Sequence, residues 1–393
     1  MALLIQLILA ALALPATFSC VYLLFLTLLS APVPVPPKSF RRMSFDVIVP
    51  AYNEEAGIGR TVASLLKIDW PADQFRVLVV ADNCTDATAA VARTAGATVL
   101  ERQDLTQRGK GYALDFGFGR SLDAGWASAI VVIDADAEVS PNLLEAFASR
   151  IENGAQALQA HYGILNPSAS WRTQLITIAM GAFHIVRSRA RERLGLSCGL
   201  RGNGWCVTHE LLRKVPYRAF SLAEDLEYGI ELGLAGCRVA YADEAHADAE
   251  MVSSETIARK QRQRWEQGRL QLVASRTLPL LSTALRRRSA VCLDLALDLL
   301  VLPLSYVALN IVALTVVAAL VGVKDPSARI WAWWGLACGA AMFVHVMRGW
   351  QVSGLGVRGL AALAHVPGFL LWKIVLLFRR KSEGWVRTER ERR

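Results

Sequence analysis

Ile130-Val131-Val132-Ile133-Asp134-Ala135-Asp136 is the stretch that decides the fold of this chain. Four β-favouring apolar residues in a row read as a strand buried on both faces, and two acids follow at the point where that strand runs out. Upstream, Val47-Ile48-Val49, Val77-Leu78-Val79-Val80 and Thr98-Val99-Leu100 are further strands. Between the first two, Ile58, Val62, Leu65 and Leu66 recur at helix spacing before Trp70-Pro71 ends the element. Strands alternating with helices from Phe45 to Ile133 predict an α/β domain with a mostly parallel sheet and helices on both faces. Polar groups gather where the strands end: Asn53 and Glu54, then Asp82 and Asn83, then Asp134 and Asp136. Open α/β sheets bind ligands at those carboxyl ends.

The first turn, Pro50-Ala51-Tyr52-Asn53-Glu54-Glu55-Ala56-Gly57, argues against dinucleotide binding. It has no GxGxxG and puts acids where a pyrophosphate would sit. Gln107-Arg108-Gly109-Lys110-Gly111 lacks the spacing of a Walker loop and the Ser or Thr after its Lys.

Two carboxylates on one strand edge repel unless a cation sits between them, since in an extended segment Asp134 and Asp136 point the same way. Oxygen-only ligands suit Mg²⁺ or Mn²⁺, which bridges the phosphates of a nucleoside diphosphate, and Lys110 supplies further positive charge for such a leaving group. Glu224-Asp225 opens a helical stretch to Leu234, where acids complement the helix dipole or, in the sharper reading, supply a base for an incoming hydroxyl. Gly199-Leu200-Arg201-Gly202-Asn203-Gly204-Trp205 joins backbone freedom to an aromatic ring, so Asn203, Gly204 and Trp205 are candidates for an acceptor-sugar loop. Gln261, Arg264 and Trp265 share one helix face, suited to a hydroxyl, a diphosphate and a pyranose ring. Each fragment alone also reads as a turn, a loop or a solvated helix edge.

In this order, Pro50-Ala51-Tyr52-Asn53-Glu54, Asp82-Asn83-Cys84-Thr85-Asp86, Gly109-Lys110-Gly111, Asp134-Ala135-Asp136, Glu224-Asp225 and Gln261-x-x-Arg264-Trp265 resemble the membrane-embedded family 2 glycosyltransferases, the group of cellulose and hyaluronan synthases. The resemblance runs from about Ser44 to Arg269. It implies a GT-A type domain and an inverting hexosyltransferase that uses a UDP-sugar and Mg²⁺ or Mn²⁺. Ala51, Glu54 and Asp82 would hold nucleobase and ribose, Lys110 the diphosphate, and Asp134 and Asp136 the metal and donor. Asp225, beside Glu224, would be the base, and Gln261, Arg264 and Trp265 would meet donor diphosphate and acceptor. Ala223 stands where many relatives have Thr, and Gly202-Asn203-Gly204-Trp205 replaces the Phe-Cys-Gly pattern of cellulose synthases, which argues against cellulose as product. Trp385-Val386-Arg387-Thr388-Glu389-Arg390 resembles the gating loop of hyaluronan synthases.

Of the 393 residues 53% are hydrophobic and 20% charged, with the apolar ones concentrated at both ends. Ala2 to Leu29 carries no charge and is long enough to span a bilayer. Lys38, Arg41 and Arg42 after the linker Pro32 to Pro37 place the globular part in the cytoplasm, most simply at a bacterial inner membrane. The net charge of +9 comes largely from Arg259 to Arg288 and Arg379 to Arg393, both beside apolar segments, so membrane lipids and not nucleic acid are the expected polyanions. Seven cysteines without a CxxC pair fit a reducing compartment. The expected organisation is a transmembrane helix and linker (1–37), a GT-A domain (38–254), amphipathic interfacial helices (255–300), transmembrane or re-entrant helices (301–378) and a basic tail (379–393). Three apolar blocks, Val291 to Val323, Ile330 to Val346 and Leu360 to Phe378, cannot all cross and keep the Arg-rich terminus inside, so the last, with Pro367 and Lys373, is expected to lie flat or re-enter. Asp294 and Asp298 are expected at an interface or facing protein.

The leading expectation is a synthase extending an exopolysaccharide through β-linkages. Its rival is a transferase adding one sugar to a polyprenyl-phosphate or other lipid-linked acceptor, and a silent scaffold or export subunit is third. The few membrane segments favour the rival, since a monomer with so few helices makes a thin-walled channel; a homo-oligomer or an export partner is a further expectation.

Overall fold

A computed structural model describes residues 2–251 and 255–377. Contacts divide the described residues into two compact units: one of residues 2–31, Pro167–Ala190 and 297–377, the other of Pro32–Asn166 and Arg191–Ala296.

The second unit is built on eight strands: β1 (Phe45–Ala51), β2 (Phe75–Asp82), β3 (Thr98–Arg102), β4 (Ala129–Val132), β5 (Ala137–Val139), β6 (Ala157–Ile164), β7 (Trp205–Thr208) and β8 (Val239–Ala249). Their order is β3-β2-β1-β4-β7-β6-β8-β5. From β3 to β4 the strands are parallel, as the alternation of strand and helix requires. Beyond β4 the sheet is mixed, because β7 runs antiparallel to β4 and β6, and β5 antiparallel to β8. The expected mostly parallel sheet therefore holds for the first half only.

Both faces are covered. Val47, Val49, Val77, Val79 and Val131 pack on one side with Ile58, Val62 and Leu65. Ile48, Leu78, Val80, Ile130 and Val132 pack on the other with Leu114 and Phe118. Adjacent residues in these strands go to opposite cores, the period of two that makes doubly buried strands read as unbroken apolar runs.

Among the described residues, the first unit holds three helices long and apolar enough to cross a membrane: Leu3–Leu28, Leu304–Val321 and Pro326–Val352. The last apolar block is divided into helices Gly356–Leu363 and Val366–Leu377, each shorter than a span needs. Trp171–Val186 belongs to this unit, a correction to its expected place inside the catalytic domain. There Gly181 lies 2.6 Å, measured from a built Cβ, from the Gly349 carbonyl, and Gly349 comes equally close to Ala182. Small residues let such backbones touch. Asp298 pairs with Arg187 within the first unit, and Asp294 lies 2.9 Å from Arg191 within the second; all four are buried. Of the two expected settings, these acids take the one facing protein.

Candidate active site

The adjacent parallel strands β1 and β2 end at Ala51 and Asp82. Asn53 and Asn83 take positive φ just beyond them, a conformation that asparagine tolerates better than most residues. The two loops are tied together. Asn53 Oδ1 accepts from Thr85 N at 2.7 Å, the Glu54 amide donates to Thr88 Oγ1 at 2.7 Å, and Cys84 Sγ donates to the Ala51 carbonyl at 3.4 Å. Asp82 is buried and held by Arg102 Nη1 at 2.7 Å and Asn83 Nδ2 at 3.0 Å. Burial raises its pKa against the opposing pull of Arg102.

Gly109-Lys110-Gly111 has a steric explanation. Gly109 sits at φ +126°, and a side chain on Gly111 would run into the Ala219 carbonyl and come within 3.2 Å of Phe220 Cα. The two glycines thus set Lys110 at the start of helix Lys110–Ala124. Its Nζ lies 2.6 Å from Asp134 Oδ1 and 3.4 Å from Glu224 Oε1, and donates to the Gly202 carbonyl at 2.6 Å. Burial works against this ammonium, but Asp134 and then Glu224 more than offset it and hold its pKa above the usual lysine range.

Asp134 and Asp136 occupy a turn between β4 and β5, closed by the Ala137 amide on the Asp134 carbonyl at 3.1 Å, so the extended geometry expected for them is corrected. Both are partly exposed on either side of buried Ala135. Among the described residues no three His, Cys, Asp or Glu side chains form a metal cage. A pair of accessible carboxylates nevertheless fits a hard divalent cation that takes the rest of its shell from phosphate and water.

Glu224 and Asp225 form the first turn of helix Glu224–Leu234. Burial, and then the neighbouring Glu224 carboxylate, push Asp225 up to about 7, with Lys110 pulling the other way. A Cβ built on Gly202, at φ +85°, would be 3.6 Å from Asp225 Oδ2, so this glycine borders the carboxylate.

The expected acceptor loop is corrected. Trp205 is 1% exposed and packs edge-on against Phe118, beside Tyr228, so no sugar reaches its ring. Buried Asn203 accepts from the Asp134 amide at 2.9 Å and therefore fixes the acidic turn. Buried Gly204, at φ +69°, leaves no room for a side chain beside Ala247. Strand pairing of Trp205 with Val132 explains all three, because the Gly-rich loop feeds directly into β7.

Helix Glu255–Arg287 carries the Gln/Arg/Trp pattern. The side chains of Gln261 and Arg264, and the stretch Trp385 to Arg390, lie outside the described residues. Trp265 is 40% exposed. Its helix is registered on the Glu224–Leu234 helix: a Cβ on Gly268 would be 3.0 Å from Ala223 Cβ, Arg276 pairs with Glu231 at 2.8 Å, and Arg287 donates to the Leu234 carbonyl at 3.1 Å.

Two features escaped the sequence reading. Arg201 is buried, donates from Nε to the Cys198 carbonyl at 3.1 Å and lies within electrostatic reach of Asp225. On β8, His246 Nδ1 sits 3.0 Å from Asp248 Oδ2, and this hydrogen bond raises the imidazole pKa. The alternation Ala245-His246-Ala247-Asp248-Ala249-Glu250, whose alanines are buried, was the available signal for the second.

Residues 42–268 match the family described as Glycosyltransferase like family 2. That is more than half of the chain, and the chain belongs to this family. Among curated relatives, the beta-monoglucosyldiacylglycerol synthase of Synechocystis is 29% identical over 231 residues, 56% of this chain and 47% of the relative. A probable glycosyltransferase of Bacillus subtilis is 23% identical, covering 57% of this chain and 54% of its own. The 4,4'-diaponeurosporenoate glycosyltransferase of Staphylococcus aureus is 36% identical across 25% of each chain. The chain thus spans about half the length, or less, of these relatives. A mannosyltransferase from Pyrobaculum calidifontis, solved with GDP-Man and Mn²⁺, aligns over 87% of this chain and 98% of its own with TM-score 0.52 at 19% identity. That likeness shows the fold, which is of the GT-A type.

Proposed function

We propose that this chain transfers a sugar from a UDP-sugar to a hydroxyl of a lipid or lipid-linked acceptor at the cytoplasmic face of a membrane. The observation that carries the reading is the meeting of Lys110, Asp134 and Glu224, with Asp225 next in the chain, at the carboxyl end of β4. Asp225 takes the acceptor proton as that oxygen bonds to the anomeric carbon. The bond from this carbon to the terminal phosphate oxygen breaks, and the nucleoside diphosphate leaves. One in-line displacement turns an α-linked donor into a β-linked product without a covalent intermediate. Ala51, Glu54 and Asp82 are assigned to nucleobase and ribose. Lys110 offsets charge on the leaving diphosphate once it exchanges its carboxylate partners for phosphate. Asp134 and Asp136 would hold Mg²⁺ or Mn²⁺, which supplies charge neutralisation at the diphosphate.

Three apolar helices and the cations Lys38, Arg41 and Arg42 after the first support the membrane placement. A diacylglycerol in one relative's name supports a lipid acceptor. Repeated addition to an exopolysaccharide is the second reading, favoured by the half-exposed indole of Trp265 in its Gln/Arg/Trp setting. Product length separates the two.

The test is purified full-length protein with Mn²⁺, a panel of UDP-sugars with GDP-mannose, a lipid extract, and released nucleoside diphosphate as readout. Asp225→Asn is expected to lower release by about 10²–10⁴-fold. Equal release by the variant removes Asp225 from the base role, and no release with any donor overturns the reading.

A further inference from the structure

Large apolar side chains are ordinarily scattered singly on a surface, so three of them on two adjoining elements, one of which leads into Asp225, call for a cause. Phe220 is 42% exposed, Leu222 37% and Trp265 40%. Phe220 and Leu222 lie five and three residues before Asp225. Gly268, one helical turn beyond Trp265, comes within 3.2 Å of the Leu222 carbonyl carbon, again measured from a built Cβ, so the two elements meet at this loop. Phe220 is held rigidly. Its ring stacks on Tyr112 at 4.5 Å and 16°, meets Tyr217 edge-on, and its Cα abuts Gly111 next to Lys110.

The charges beside this wall set the kind of head group that fits. Glu224, Asp225 and Glu227 stand together in the first turn of their helix. An acceptor phosphate needs no base to become a nucleophile, whereas a neutral hydroxyl needs one, and Asp225 stands in that turn. Resting on the transferase reading above, we propose that Phe220, Leu222 and Trp265 form the acceptor wall for a neutral lipid alcohol whose hydrocarbon begins within a few atoms of its nucleophilic hydroxyl. Phe220, locked by Tyr112, is its specificity-determining side chain.

The experiment compares transfer to glycerol, to a short-chain diacylglycerol and to a short polyprenyl phosphate, using full-length protein in nanodiscs. Wild type is expected to favour the diacylglycerol. Phe220→Ala is expected to raise KM for the diacylglycerol by about tenfold relative to glycerol, with recovery in Phe220→Leu, because the ring contributes buried apolar area only when a chain lies on it. UDP binding on the same preparations reports that each variant is folded. Equal use of glycerol and diacylglycerol by wild type, unchanged discrimination in Phe220→Ala, or preference for the polyprenyl phosphate overturns this assignment and leaves the transferase reading standing. Absence of donor turnover with every acceptor overturns both.

Discussion

Asp225 carries the most testable chemistry at the scale of one residue. Its carboxyl is pushed up to about 7 by burial and by Glu224. A base must be unprotonated to accept a proton, so in the role proposed for Asp225 transfer is expected to be lost as pH falls through that value and to be fully present above it. With a saturating donor, kcat/KM for the acceptor is expected to fall about tenfold per unit below pH about 7 and to level off above it. A flat profile between pH 5 and 8 would assign the base elsewhere. Trp205 makes the opposite kind of prediction. As a core residue against Phe118 it affects stability, so Trp205→Phe is expected to cost about 1–3 kcal/mol, read as a lower midpoint in a denaturant titration, with acceptor KM unmoved. A selective rise in acceptor KM would restore it to a sugar-binding role. Its misreading is instructive: Gly-rich sequence followed by an aromatic looks the same whether the ring faces a ligand or begins a buried strand. Only the pairing of Trp205 with Val132 decides.

Among the elements, helix Glu255–Arg287 packs on the start of the helix that carries Asp225, and Gly268 sets its distance by admitting Ala223. Arg276 on Glu231 and Arg287 on the Leu234 carbonyl fix its register farther along. Gly268→Val pushes the helix outward at that one point. It is expected to lower kcat by about tenfold or more, since small displacements of positioned groups are costly, while UDP binding at the Ala51 and Asp82 loops is retained. Unchanged kcat would mean that the helix does not position the acceptor. The parallel strands were legible because doubly buried runs such as Val77 to Val80 announce themselves locally. The acidic pair was legible as a polar cluster at a strand end but not as a turn: its geometry depends on the Ala137 amide and on Asn203, from a strand loop far along the chain. The mixed half of the sheet was not legible, because β5, β7 and β8 are short or polar on one face and find their partners only in the tertiary fold.

For the whole molecule, composition located the apolar helices, but it missed Trp171–Val186 as part of the same unit. That stretch mixes Thr, Gln and His with its apolar residues, and only contacts such as Gly181 with Gly349 reveal where it belongs. It leads into Arg187, whose buried guanidinium pairs with Asp298 of the same unit. Two charges withdrawn from water pair with each other, so deleting one takes this compensation away from the other. Asp298→Leu alone is expected to destabilise by about 3–5 kcal/mol, whereas Arg187→Met with Asp298→Leu recovers most of that loss because both desolvation penalties vanish. Unfolding midpoints of the purified variants in one detergent measure both. If the double variant is as unstable as the single one, the pair is required for more than mutual neutralisation, and its attraction outweighs what burial of the two charges costs.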